Sequence, residues 1–454
     1  MSDQLETIAA VATPRGEGGI SIVRISGVNA LSILRQVFRP ARQLSKYASR
    51  KLYLGHVVDQ NGVIIDQVLA VFMPGPATYT GEDVVEIHAH GGLVVTAEVL
   101  RRVLQAGSRM ALPGEFTERA FMSGKIDLVQ AEAVIDLIQA SAGIAARQAE
   151  RHLEGELSVV VRSIRAGVLE LLSQLRATVD FPDEDIPELS AEFIENTLSR
   201  LQAQVEQLLS TSFAGRVVRE GIRVVIAGRP NVGKSSLLNA LVGREKAIVT
   251  EFAGTTRDIV EEYVSFGGVP VRLMDTAGLH VADDPVEKIG VERARDALKC
   301  ADLVLVVLDR AQPLAEEDQQ ALELARDRQH LIVLSKADLK PAVDLPPSLQ
   351  ANALAVSAVT GTGLEQLRAE IVSRVLGQDS VEDSVLVANA RQEEALRQAL
   401  GALSDARATL ASGLPQDMLS VDLDQALTSL GALLGETTDE AVIADIFARF
   451  CIGK

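Results

Sequence analysis

Apolar residues follow two different rhythms along the chain. Across residues 5–120, short apolar runs alternate with turn clusters rich in glycine and proline, and a helical pattern covers Leu93–Ala106 before Gly107. Runs of this length between turn signals predict strands, so we expect a mixed α/β domain here. The apolar runs are Thr7–Ala12, Ile20–Ile25, Leu52–Val58, Val63–Phe72 and Val84–His88.

After residue 126, the apolar residues are instead spaced three and four positions apart, which predicts long amphipathic helices. The same pattern returns near the C-terminus, whereas strand-like runs occupy the part between. We therefore expect one helical bundle split by an inserted domain, with boundaries at 1–122, 123–217, 218–379 and 380–454. The predicted helices are Ile126–Gln139, Gly143–Val179, Ala191–Phe213, Arg391–Ser404 and Val421–Leu434.

Composition limits the possible partners. The 454 residues carry a net charge of −18, so the chain is not expected to coat itself with nucleic acid, which needs clustered Lys and Arg. If RNA is involved, either a local basic patch or a partner must bind it. The two cysteines fit a reducing cytoplasm, and we expect Cys300 to be buried in a core. No signal peptide or membrane span is predicted.

The stretch Gly228–Ser235, which reads GRPNVGKS, predicts a phosphate-binding loop. An apolar run, Ile222–Ala227, precedes it as a predicted strand, and a predicted helix opens at Ser236. Lys234 can reach the β- and γ-phosphates of a nucleotide, and the Ser235 hydroxyl can bind Mg²⁺.

Further boxes follow in the order expected of a guanine-nucleotide hydrolase. Thr256, in Gly254–Asp258, can complete the Mg²⁺ shell and sense the γ-phosphate. Asp275–Gly278, which reads DTAG, can hold the metal through water and meet the γ-phosphate with the Gly278 N–H. Asp338, in the SKAD box, can accept two hydrogen bonds from guanine, which disfavours an ATPase. We expect these nucleotide contacts: Asn231, Val232, Gly233, Lys234, Ser235, Ser236, Thr250, Glu251, Phe252, Ala253, Gly254, Thr255, Thr256, Asp275, Thr276, Ala277, Gly278, Ser335, Lys336, Ala337, Asp338, Ser357, Ala358 and Val359.

Two positions depart from the usual pattern. Ras-type enzymes place a glutamine directly after Asp-x-x-Gly to orient the attacking water, but this chain has Leu279, so something else must do so. Ser335 stands where the guanine box usually has an asparagine that ties it to the phosphate loop. Because serine is shorter, the sequence leaves the nucleotide affinity open, while the Asp338 contact that sets base identity is retained.

Taken with three further patches, these motifs resemble the tRNA modification GTPase MnmE (TrmE) family over essentially the whole chain. The patches are Arg24–Gly27, Pro113–Phe121, which reads PGEFTERAF, and the tail Phe450–Lys454, which reads FCIGK. The resemblance implies an α/β N-terminal folate-binding domain that also forms a homodimer, an α-helical bundle domain, and an inserted α/β P-loop GTPase domain of the Ras-like kind.

The resemblance also implies an activity. With the FAD-containing partner MnmG (GidA), in a heterotetramer-type complex, the family adds a carboxymethylaminomethyl or aminomethyl group to C5 of the wobble uridine of certain tRNAs. A tetrahydrofolate derivative, 5-formyl- or methylene-tetrahydrofolate, supplies the one-carbon unit. The implied folate contacts are Arg24, Glu86, Lys125 and Lys454, with Cys451 as a further site candidate. From the residues alone, Arg24 and Glu86 could instead simply pair with each other.

A monovalent ion is implied to replace the missing catalytic side chain. The family hydrolyses GTP with K⁺ and transient pairing of its G domains, so K⁺ would take the Asn231 side chain and the loop positions Thr250, Phe252 and Thr255. The catalytic residues would be Lys234, Thr256 and Glu287. Of these, Glu287 matches the glutamate that orients the attacking water in the family. The alternative function is a regulatory or ribosome-assembly GTPase switch that takes no part in a modification reaction.

Overall fold

The computed structural model describes residues 6–14, 16–180, 189–243, 261–275, 298–377 and 386–454, and only the backbone of 178–180, 261, 275 and 348. The chain divides into two compact units. The first joins Met1–Ile135 to Leu427–Lys454, and the second is Asp136–Ala426. The C-terminal tail therefore belongs to the same unit as the N-terminal domain.

A seven-stranded sheet forms the centre of the first unit, in the order β3-β4-β5-β6-β2-β1-β7. Neighbouring strands are antiparallel except β1 and β7, which are parallel. The predicted strands are confirmed here with small shifts at their ends, and β3 and β7 are additional. The strands are β1 Ile8–Val11, β2 Gly18–Ser26, β3 Phe38–Pro40, β4 Leu52–Val58, β5 Ile64–Met73, β6 Val84–Gly91 and β7 Arg109–Met110.

Helices cover this sheet because their apolar stripes match its apolar positions. Ile33 and Leu34 of one helix and Val99 and Val103 of another are buried in one core with strand residues such as Ile87. The helices are α1 Ala30–Val37, α2 Leu93–Gln105, α3 Glu115–Met122 and α4 Leu128–Gln139, with α15 Glu440–Ala448 near the C-terminus. The sequence pattern predicted α2 and α4 but missed α1 and α3.

The second unit contains long helices from both sides of the inserted segment. Helix α7 packs along α13, and the Gln202 side chain donates a hydrogen bond of 2.7 Å to the Ser404 hydroxyl. This packing agrees with the expectation of one split bundle, although the residue-level domain boundaries stay predictions. The helices are α5 Gly143–Leu153, α6 Glu156–Asp180, α7 Ala191–Ser210, α8 Ser212–Glu220, α13 Ala390–Ala411 and α14 Leu419–Leu434, which ends in the first unit, with a 3₁₀ turn at Gln416–Met418.

The inserted segment is a six-stranded sheet in the order β13-β12-β11-β8-β10-β9, parallel except for β9 against β10. Apolar cores lie against both of its faces, as a parallel sheet requires. The strands are β8 Ile222–Ala227, β9 Glu261–Phe266, β10 Val269–Asp275, β11 Leu303–Asp309, β12 His330–Ser335 and β13 Ala353–Ala355. The helices are α9 Lys234–Val242, α10 Glu316–Ala325, α11 Pro347–Gln350 and α12 Leu364–Leu376.

Within the described ranges, no helix carries an apolar stretch long enough to cross a bilayer.

Candidate functional site

The phosphate loop connects the C-terminal end of β8 to the start of α9, which is where ligands bind in open parallel sheets. A Cβ at Gly228 would lie 2.4 Å from the Val307 carbonyl oxygen, so only glycine fits there. Gly233 precedes α9 with a φ of 98°, and Asn231 also has a positive φ of 61°. This backbone path brings the loop to the positive N-terminal end of a helix, a favourable place for an anion.

Lys234 is almost fully buried under this loop. Its ammonium Nζ donates to the carbonyl oxygens of Gly228 at 2.7 Å and Arg229 at 2.9 Å. The loop is also held from outside, because the Arg229 guanidinium contacts the buried Asp318 carboxylate at 3.1 Å. A cation fixed inside a glycine-containing loop is the arrangement that phosphate oxygens require.

The Mg²⁺ residues are only partly described. Ser235 lies in the first turn of α9, and Asp275 ends β10 in register with Ile226 of β8, so both come from elements that meet at the phosphate loop. A hydroxyl and a carboxylate are oxygen donors of the kind that Mg²⁺ prefers, and the residues fit the ion to this extent. The other phosphate and metal positions lie outside the described residues: Thr250–Thr256, Thr276–Gly278, Leu279 and Glu287.

The guanine box is tied to the phosphate loop by two side chains. The Ser335 hydroxyl lies 2.5 Å from the Val232 carbonyl oxygen and 3.0 Å from that of Leu308. Lys336 donates to the Asn231 carbonyl at 3.2 Å and to the buried Asp309 carboxylate at 2.7 Å. Ser335 therefore contacts the phosphate loop directly, although serine is shorter than the usual asparagine.

Asp338 presents an exposed carboxylate beside this box. The Ser357 hydroxyl donates to its Oδ1 at 2.5 Å, and this hydrogen bond lowers the pKa of Asp338. Ser357 is itself fixed, because its hydroxyl accepts from the Thr360 backbone N–H at 3.2 Å. The carboxylate stays ionised as an acceptor pair for guanine, and Ala358 and the exposed Val359 follow on the same turn.

A second cluster in the first unit contains the predicted folate residues. Arg24 and Glu86 are directly opposite on β2 and β6, and the Arg24 Nε donates to Glu86 Oε1 at 3.0 Å. His88 Nε2 lies 3.3 Å from the other carboxylate oxygen of Glu86. The simple ion pair is thus present, and both of its side chains stay about one-fifth exposed, which leaves them open to a ligand.

The C-terminal tail brings Lys454 to this pair. Ile452 bridges to Pro113, and a Cβ at Gly453 would lie 2.2 Å from the Val11 carbonyl oxygen, so the tail fits closely against the sheet. Burial and the charge of Arg24 lower the pKa of Lys454, while Cys451 and Glu86 act in the opposite direction. Because Gly453 contacts Val11, which pairs with Val23 of β2, the tail ends beside the strand that carries Arg24.

The remaining residues that the sequence singled out, Lys125 and the two cysteines, are all exposed. Lys125 is exposed beside Gly81, where a Cβ would lie 3.6 Å from its Cε. Cys451 is an exposed free thiol. Cys300 is also exposed, so the expectation that it lies in a core is wrong.

Sequence reasoning missed four neighbours of the cluster. The Arg24 guanidinium lies 5.7 Å from the centre of the Phe116 ring, and the Tyr79 hydroxyl lies 3.0 Å from that of Thr117. Phe116 and Thr117 belong to the PGEFTERAF patch, so that patch was the available signal. No signal in the sequence marked Tyr79 or His88 as part of this cluster.

Two family models match the chain. Residues 7–125 match the model described as "GTP-binding protein TrmE N-terminus", and residues 128–451 match the "MnmE helical domain". The chain belongs to the MnmE family. MnmE-family proteins named tRNA modification GTPase are similar over 99% of both chains: 48% identical in Symbiobacterium thermophilum and 44% in Enterococcus faecalis.

The nucleotide-binding activity follows from this membership and agrees with the loop geometry. As an MnmE-family member the chain binds GTP and is a GTP hydrolase. Among solved structures, the G domain of the T. maritima FeoB iron transporter is 28% identical, covering 34% of this chain and 98% of that chain with a TM-score of 0.26. A score this low carries no further conclusion.

Proposed function

We propose that this MnmE-family chain, with the FAD-containing partner MnmG (GidA), adds a carboxymethylaminomethyl or aminomethyl group to C5 of the wobble uridine of certain tRNAs. The observation that carries the proposal is family membership over the whole chain, in which the relatives are named for tRNA modification. The chain would act as a homodimer in the cytoplasm.

The cluster of Arg24, Glu86 and Lys454 supports a folate site. A folate derivative carries carboxylates and a hydrogen-bonding ring, and this cluster offers two cations and one carboxylate, with Arg24 supported from below by the buried Phe116 ring. Arg24 and Lys454 would bind carboxylate or carbonyl groups of the folate derivative, and Glu86 would accept hydrogen bonds from N–H groups of its ring. Lys125 would add a positive charge at the edge of the cluster. The folate supplies the one-carbon unit, and these residues orient it and exclude water.

The nucleotide site is proposed to work with Mg²⁺ and K⁺. Lys234 would neutralise charge on the β- and γ-phosphates, and Ser235 with Thr256 would hold Mg²⁺. Asn231, on the exposed face of the phosphate loop, would contribute to a K⁺ site completed by Thr250, Phe252 and Thr255 when two G domains pair. K⁺ there offsets developing negative charge where other enzymes place an arginine, and Glu287 would orient the attacking water.

Deleting the gene and analysing tRNA nucleosides tests the proposal. Cells that lack the chain should lose the modified wobble uridine and regain it when the wild-type chain is supplied, but not with Arg24→Gln. A matched control, Arg101→Gln, changes an exposed arginine of α2 paired only with Glu98 and should restore the nucleoside.

The alternative, a regulatory or ribosome-assembly switch, predicts different outcomes. Wobble uridine would be unchanged by the deletion, and the full-length dimer would not bind 5-formyltetrahydrofolate in a calorimetric titration. Either result with intact GTP hydrolysis would favour the switch.

A further inference from the structure

Positive charge is concentrated in one segment of an otherwise acidic chain. Residues 18–58 contain seven Lys or Arg and neither Asp nor Glu, whereas the whole chain has a net charge of −18. Six of these cations lie within 17 positions, and we call them the basic surface: Arg35, Arg39, Arg42, Lys46, Arg50 and Lys51. Such segregation creates a local positive potential that the net charge conceals.

The fold gathers these cations at one edge of the sheet in the first unit. Strand β3 is the terminal strand and runs antiparallel to β4, with Arg39 opposite His56. The segment that follows β3 turns back, so that Arg50 donates its backbone N–H to Phe72 at the end of β5 and β4 starts two residues later. All six side chains are exposed. They are therefore available to one extended ligand.

Among the residues that the structure describes, none of the six is ion-paired. Arg39 and Arg50 donate to the carbonyl oxygens of Gly62 and Ala77, which orient the guanidinium without cancelling its charge. By contrast, the exposed Arg326 and Arg397 pair with nearby glutamates, Glu323 and Glu393. The basic surface thus keeps its charge for an outside partner.

Two tyrosines lie among these cations. The rings of Tyr47 and Tyr53 are 5.5 Å apart in an edge-to-face arrangement, and the Lys51 ammonium lies 5.7 Å from the centre of the Tyr53 ring. The Tyr53 hydroxyl accepts the Ala48 backbone N–H at 2.8 Å, which fixes the connecting segment. Cations held around an ordered aromatic pair are typical of surfaces that bind a nucleic-acid backbone.

Of the possible occupants, an RNA fits best. A second copy of the chain docked through the same surface would place like charges opposite each other, since a two-fold interface is self-complementary. We propose that the basic surface binds the phosphate backbone of tRNA, which gives the acidic chain its own contact with the substrate. This inference rests on the proposed function, because it takes tRNA as the polyanion.

Three cations without a structural hydrogen bond provide the test. The full-length triple variant Arg42→Gln, Lys46→Gln, Lys51→Gln should bind fluorescently labelled, unfractionated tRNA about tenfold more weakly than wild type at low salt. The slope of log affinity against log salt should fall by about 3, one for each lost phosphate contact. Fluorescence anisotropy over a range of KCl concentrations measures both.

Two controls separate this effect from net charge and from misfolding. The variant Arg200→Gln, Arg326→Gln, Arg397→Gln removes the same charge from other exposed sites and should bind tRNA like wild type. The charge-preserving variant Arg42→Lys, Lys46→Arg, Lys51→Arg should keep both affinity and salt slope. All variants should keep the wild-type rate of GTP hydrolysis.

Four results would overturn the inference: no tRNA binding by the wild-type chain, normal tRNA binding by the triple variant, equal loss in both neutralising variants, or binding by the basic surface to phosphatidylserine vesicles and not to tRNA. Nucleoside analysis of wild-type cells and of cells that carry the triple variant distinguishes failure of this inference from failure of the proposed modification activity. Normal tRNA binding by the triple variant would end this inference even if the wobble uridine is modified. Absence of the modified uridine in wild-type cells would instead end the proposed function.

Discussion

Single hydroxyl groups connect the parts of the guanine site. Ser335 reaches the Val232 carbonyl, and Ser357 reaches the Asp338 carboxylate, both at 2.5 Å. A serine replaces the usual asparagine here without loss of the contact because the guanine box lies close to the phosphate loop: a Cβ at Gly233 would lie 3.9 Å from that of Ser335. Ser335 therefore ties the guanine box directly to the phosphate loop.

Removing the Ser335 hydroxyl should loosen that link. We expect Ser335→Ala to weaken GTP binding about fivefold, since one intramolecular hydrogen bond contributes about 1 kcal/mol. Titration with a fluorescent GTP analogue measures the affinity, and Ser412→Ala, at an exposed helix end in the bundle, is the matched control. Unchanged affinity in Ser335→Ala would show that the contact does not support the site.

Residue identities predicted chemistry better than they predicted surroundings. The boxes around Lys234 and Asp338 were recognisable because phosphate and guanine recognition need fixed residue types at fixed spacing. Cys300 was misjudged because its neighbours Leu298 and Ala301 are apolar, yet only Leu298 is buried. Which side of a short helical turn faces the core depends on packing that a local pattern does not contain.

Helix α3 is anchored by a buried carboxylate. Arg109 contacts Glu115 at 2.6 Å and Arg119 contacts it at 2.8 Å, and Arg119 continues to Glu82 at 3.0 Å. Burial alone would raise the pKa of Glu115, but hydrogen bonds from Arg109, the Leu112 N–H and Arg119 outweigh it and lower the pKa. The helix carrying Phe116 is thereby fixed near the Arg24 cluster.

The pH dependence of stability should reveal this anchor. A carboxylate with a lowered folded-state pKa stabilises the fold above its unfolded pKa of about 4.5, and this contribution disappears as the pH falls through the folded value. We expect Glu115→Gln to lose about 2 kcal/mol at pH 7 and the gap from wild type to shrink below about pH 4.5. Thermal melts at several pH values measure this gap, with the partly exposed Glu98→Gln as control. A gap independent of pH would contradict the role of this carboxylate.

The C-terminal tail is the second element that completes the proposed folate site. Gly453 combines a φ of 97° with close contact to the Val11 carbonyl, whereas Gly413 has a φ of 70° with open space around it. We expect Gly453→Ala to displace Lys454 and to weaken 5-formyltetrahydrofolate binding at least tenfold, because both strain and a clash oppose the docked tail. Calorimetry of the dimer checks this.

Gly413→Ala separates strain from the clash. It imposes a similar backbone cost far from the tail in sequence, so folate affinity should stay at the wild-type value. Equal affinities in both variants would mean that the docked tail contributes nothing to the site.

Elements with strong patterns were predictable, and short ones were not. The bounds of β4 and β8 match their apolar runs residue for residue. The predicted helix Gly143–Val179 is instead two helices, broken where Gly155 adopts a φ of 88°. Helix α3 was missed because most of its residues, including Glu115, Thr117 and Arg119, are buried, so no amphipathic stripe marks it.

At the scale of the whole molecule, segments that lie far apart in the sequence belong to the same structural unit. The last residues join the N-terminal domain, and helices on both sides of the nucleotide-binding segment pack together. Apolar patterns indicated the split bundle, but the tail's destination depends on contacts more than 300 residues apart, such as Pro113 with Ile452. No local pattern carries that information; the family resemblance did.

The proposed role of K⁺, which replaces a missing catalytic side chain in GTP hydrolysis, can be tested by the dependence of the rate on the monovalent cation. The rate of GTP hydrolysis by the full-length chain should be measured with KCl and with NaCl at equal ionic strength, for wild type and Asn231→Ala. We predict that the wild-type rate rises at least tenfold in KCl and that Asn231→Ala shows no difference between the salts. Equal wild-type rates in the two salts would contradict the account.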